Sequence, residues 1–138
     1  MSSWAELPRN RRGIRIDVRG ERDLAVNEWH RENLPRWCYV TDVDFLEYRF
    51  EKGELVLKAV LEVKEWHVTQ PKYIEENANF KAVCRLCELS GLPLFVIWYD
   101  KDERGRITKF KLWNVLRERK DDAKLMTPDE LKAFIETL

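Results

Sequence analysis

The chain has 138 residues, of which 44% are hydrophobic and 12% aromatic. That is enough to bury one core and too apolar for a disordered chain, so a single domain over residues 1–138 is expected. The 25 basic and 25 acidic residues cancel, which excludes a global attraction to polyanions. No apolar run reaches the roughly 18–20 residues of a membrane span, and the N-terminus lacks a secretory apolar stretch. A cytoplasmic, intracellular protein with no membrane partner is the expectation.

The first twenty residues form a basic arm. Arg9, Arg11, Arg12, Arg15, Arg19 and Arg22 face only Asp17 and Glu21, and the first four are candidate phosphate contacts. A helix follows from Glu21 to Asn33, ended by Pro35, which keeps its predecessor out of the helical region. Tyr39–Phe50 reads as a strand, Glu51–Glu54 as a turn and Leu55–Trp66 as a second strand, together a hairpin. Pro71 opens a helix to Ser90 that Gly91 stops. Pro93–Tyr99 and Ile107–Val115 read as strands, and Thr127-Pro128-Asp129-Glu130 is a capping box that opens a last helix. The order α-β-β-α-β-β-α predicts an α/β fold, a central mixed sheet flanked by helices. Cys38, Cys84 and Cys87 are too few for a thiolate cluster and read as small buried hydrophobes. Six tryptophans are many for this length; exposed ones such as Trp4 or Trp113 would suit an interface or stack on unpaired bases.

The second strand carries the chemistry. Leu55, Leu57, Ala59, Leu61 and Val63 alternate onto what should be the packed face, and Glu62 and Lys64 fall on the other. Asp42 and Asp44 share a face of the first strand, Asp42 reading as an outer or surface residue. A turn centred on Gly53 sets Asp44 directly opposite Glu62, on the same face; a slip of one residue would separate them. Two carboxylates that close need a proton or a cation between them, and oxygen ligands of this kind suit Mg²⁺ or Mn²⁺. Lys64, one pleat along, could place an attacking water and offset charge on a phosphate. Read alone, Glu-x-Lys is more often a solvated pair, and it is Asp44 at the matching position that favours a site. His30 and His67 lack the spacing of a metal pair.

Asp44 in one strand, a turn, and Glu62-Val63-Lys64 in the next resembles the signature of the PD-(D/E)XK nucleases, with Val43 replacing the usual proline. The resemblance covers roughly Glu21 to Tyr99 and implies a restriction-endonuclease-like core, although a third strand before the long helix is missing unless Gly13–Val18 or one half of a long hairpin strand supplies it. It implies Asp44, Glu62 and Lys64 as catalytic residues. Asp44, Glu62, the Val63 main-chain carbonyl and a first-helix glutamate, Glu28 or Glu21, would ligate the metal. Asn77 or Lys81 would be the polar residue that the following helix presents, Lys81 as a nucleic-acid contact. Arg19–Leu24 resembles the helix start of archaeal-type Holliday junction resolvases.

The resulting expectation is an Mg²⁺- or Mn²⁺-dependent endo- or exonuclease that acts on DNA, RNA not being excluded. A chain this short leaves little room for base readout, which favours structure-specific cutting of junction, repair or replication substrates by a homodimer. The alternatives are a catalytically inactive nucleic-acid-binding module with a nuclease-like fold, or an unrelated α/β interaction protein.

Overall fold

The computed structural model describes the backbone of residues 19–66 and 75–138 and the side chains of residues 25–66 and 75–138. The chain divides after Tyr39 into two units. The first holds α1 (Arg19–Asn33), and its terminal turns close with Leu34 N–H donating to the His30 carbonyl at 3.1 Å and Cys38 N–H to that of Pro35 at 3.0 Å. No described helix is long and apolar enough to cross a membrane.

The second unit contains β1 (Phe45–Glu51), β2 (Glu54–Glu65), α2 (Ala78–Ser90), β3 (Leu94–Lys101), β4 (Ile107–Asn114), a 3₁₀ turn (Lys120–Asp122), β5 (Lys124–Met126) and α3 (Pro128–Glu136). The five strands lie in sequence order in one sheet. β2 and β3 run parallel, and the other three pairings are antiparallel. This is an α/β fold with a mixed sheet, as the pattern of elements implied.

Local chemistry explains most boundaries. The Asn77 side chain accepts from the amides of Asn79 and Phe80 at 2.9 and 3.3 Å, so α2 begins there and not at Pro71, which lies outside the described residues. Gly91 ends it at φ 75, a conformation that costs glycine little. Thr127 and Glu130 form the expected reciprocal box at the start of α3. β1 begins at Phe45, and residues 39–43 are irregular. β5 was not expected: three residues are too few to show a period.

The sheet is packed on both faces. Val60, Leu94, Val96, Trp98 and Trp113 meet Phe80, Val83 and Cys87 of α2. On the other side Ala59, Leu61, Phe95, Ile97 and Leu112 meet Leu131 of α3. The expected single packed face of β2 is therefore corrected: Ala59 to Glu62 are all buried, as in strands covered by helices on both sides. Trp113, expected to be exposed, is 3% exposed. It stacks on Phe80 and Trp98, with centroids 6.1 and 6.2 Å away, and its Nε1–H donates to the Glu118 carbonyl at 3.0 Å.

Candidate active site

The β1–β2 turn is tighter than a loop centred on Gly53. Lys52 and Gly53 both have positive φ, 51 and 81, as a two-residue type I′ turn requires, and Glu51 pairs with Glu54. Carried along a regular ladder, that register would set Asp44 opposite Leu61 and turn it away from Glu62. A β-bulge intervenes. Tyr48 pairs with Leu57 and Glu47 with Ala59, which leaves Lys58 as the extra residue. Beyond the bulge Phe45 pairs with Leu61, and Asp44 comes level with Glu62. Leu57 and Ala59, expected on one face, thus lie on opposite faces.

Asp44 precedes β1 and is half-buried. Its Oδ2 accepts from the Val63 amide at 2.8 Å. Glu62 is 7% exposed, and its carboxyl lies close enough to Asp44 to be perturbed by it. Burial, reinforced by the hydrogen bond and charge of Asp44, pushes the Glu62 carboxyl up to about 7, against the opposing pull of the Lys64 cation and the Asp44 amide. Glu62 Oε1 is buried with no hydrogen-bond partner among the described residues. The pair is thus poised to exchange a proton, or to take a cation in its place, near neutral pH.

Lys64 is half-buried two residues along β2, hence on the same face. The amides of Val60 and Trp66 donate to the Pro93 and Tyr99 carbonyls, on the β3 side. Alternation then directs the peptide groups of Val63 the other way, as its bond to Asp44 bears out, and its carbonyl shares that side. The Val63 carbonyl therefore points toward the side of β2 on which Asp44 lies. From α2, Cys84 and Cys87 feel the charge of Glu62, but burial is the main reason that both thiols are raised, Cys87 to about 11. At neutral pH they are protonated and behave as packing groups, not as ligands.

Glu28 is exposed on α1 in the first unit, and Lys81 is exposed on α2. The Asn77 side-chain oxygen caps α2. Asp42 is exposed ahead of β1. The Glu21 side chain, Trp4, His67, Gly13–Val18 and the arginines Arg9, Arg11, Arg12 and Arg15 lie outside the described residues. Among the described residues no group of three or more histidine, cysteine or acidic side chains could hold a metal, so a cation here would rely on the two carboxylates, the carbonyl and water. The sequence reading missed one grouping beside the site, Trp66 with Lys109 and Lys111, whose members are more than forty residues apart in the chain. In comparisons with known proteins, the chain matches no family model, no curated protein and no solved structure.

Proposed function

We propose that the chain is a divalent-metal-dependent nuclease of PD-(D/E)XK type that hydrolyses DNA phosphodiester bonds, with Asp44, Glu62 and Lys64 as its catalytic residues. The observation that carries this reading is the buried Glu62, level with the half-buried Asp44 and with Lys64 two residues along: a carboxylate with an orphaned oxygen, set beside a second carboxylate, is expensive to bury for structure alone. Asp44, Glu62 and the Val63 carbonyl would hold Mg²⁺ or Mn²⁺. Once bound, the ion would stabilise charge on phosphate oxygens and lower the pKa of a water. Lys64 cannot coordinate while protonated. Its ammonium, on the same face, instead faces the region where a phosphate gains charge, and it offsets that charge. The Asp44 carboxylate holds its orientation through the Val63 amide.

Labelled single-stranded, duplex and four-way-junction DNA, with an RNA counterpart, tests the proposal in Mg²⁺, Mn²⁺ and EDTA. Metal-dependent cutting, strongest on the branched substrate and abolished in Glu62→Gln, is the expected result. Binding without cutting under every condition would favour an inactive nucleic-acid module. Neither binding nor cutting would favour an interaction protein.

A further inference from the structure

Past the carboxylate pair, the α2 face of the sheet continues as two more rows of side chains. Lys64, Trp98 and Lys111 stand in register across β2, β3 and β4. In the next row Asp100 pairs with Lys109, and Trp66 stands beside them, because its amide donates to the Tyr99 carbonyl at 2.9 Å and extends the ladder one residue past β2. The ammonium groups of Lys109 and Lys111 each lie 5.5 Å from the centroid of the Trp66 ring. Trp98 is buried. The groups that reach outward are therefore Lys64, Lys109 and Lys111 around a single half-buried indole, and Asp100 is the acidic side chain in their rows, 3.7 Å from Lys109.

Lysine side chains on a surface normally lose much rotamer freedom when they grip a ligand. Here one indole has two ammonium groups within reach of its ring and attracts both through its quadrupole. The cations are gathered before any anion arrives. Successive rows lie roughly 7 Å apart along the strands, so the lysines offer spaced charges leading away from Glu62. That suits a chain with one negative charge per unit better than a single small anion.

We propose that Lys109 and Lys111, positioned by Trp66, form a phosphate-binding platform for the nucleic-acid strand that runs from the Asp44–Glu62 pair. The platform deepens the nuclease reading and takes its direction from it, but binding is measured apart from cleavage. Fluorescence anisotropy of a labelled single-stranded 20-mer and its duplex, in EDTA over a salt series with the full chain, gives the salt slope of affinity. Lys109→Ala/Lys111→Ala should flatten that slope by about 1.4 on the single strand and about 1.8 on the duplex, the values for two lost phosphate contacts. Trp66→Leu keeps both charges, so it should weaken binding several-fold with the slope nearly unchanged. Lys124→Ala/Lys132→Ala, a matched loss of charge on the α3 side, should leave the slope as it is. Thermal melts confirm that each variant is folded.

Wild-type protein that binds neither oligonucleotide at low salt would overturn the platform. So would an unchanged slope in the Lys109/Lys111 variant, or an equal flattening in the control. Binding as described without metal-dependent cutting would sink the nuclease reading and leave the platform standing. Cutting with an unchanged slope would sink the platform alone.

Discussion

Glu62 gives the protein a pH signature that a single substitution isolates. Its carboxyl titrates near 4.5 when free and at about 7 in the folded chain, because burial and Asp44 disfavour its charged form. The folded state therefore holds this proton more tightly than the unfolded state, and between those two values stability falls as pH rises. The contribution is fully present below about pH 4.5 and is lost as pH climbs through about 7. A shift of this size corresponds to roughly 3 kcal/mol. Glu62→Gln keeps the shape and cannot ionise. Its stability relative to wild type should grow by about 2.5 kcal/mol between pH 5 and pH 8, because the titrating groups remote from Glu62 are shared and cancel. Urea unfolding followed by tryptophan fluorescence, in EDTA at unit pH steps, measures the difference directly. Parallel curves for the two proteins across that range would show that Glu62 ionises normally and that the buried pair is misread.

Other perturbations test the site from different sides. At pH 8, Mg²⁺ or Mn²⁺ at ten times its dissociation constant should stabilise the wild type by about 1.4 kcal/mol, a rise of several degrees in Tm that Glu62→Gln should lack; a wild-type Tm indifferent to millimolar metal counts against the ligand set. Lys64→Ala should keep that metal-dependent rise yet cut DNA about a hundredfold more slowly or worse, whereas Asp44→Asn should lose both, and equal cleavage by Lys64→Ala and wild type would refute the role given to Lys64. Deleting Lys58 removes the bulge while every flanking pair keeps its partner, so the pH signature of Glu62 should survive, at the cost of the Lys58–Glu51 ion pair of 2.6 Å; loss of the signature in a folded deletion variant would contradict the register. Thr127→Ala should cost about 1 kcal/mol in thermal unfolding through the lost cap of α3, and an unchanged Tm would argue against that box.

Signals that act within a few residues were legible in the chain itself. The box at Thr127, the stop at Gly91 and the short apolar run now seen as β3 each depend on neighbours in sequence, so a local reading recovers them. Glu62-Val63-Lys64 was legible for the same reason: two charged groups at alternate positions of an apolar strand stand out whatever the fold. Asp44 was matched to Glu62 from a turn assumed to be centred on Gly53, whereas the pairing arises from a two-residue turn and a compensating bulge at Lys58. A two-residue turn and a bulge each move the ladder by one step, and their sum leaves no trace in the alternation of β1.

Sequence alone determined that this is an α/β chain with an acidic–basic pair on its second strand, because secondary structure and strand faces follow from short-range steric and hydrophobic periods. Tertiary structure decided the rest. Only the parallel pairing of β2 with β3, roofed by α2 and α3, buries both faces of β2, and that burial is the largest cause of the raised Glu62 carboxyl. Only the β2–β3–β4 register gathers Trp66, Lys109 and Lys111, while Trp113, two residues beyond Lys111 on the same face, is sealed against Phe80. Which residues lie under a helix and which lie past its end depends on contacts between segments distant in sequence, and no period within one strand encodes it.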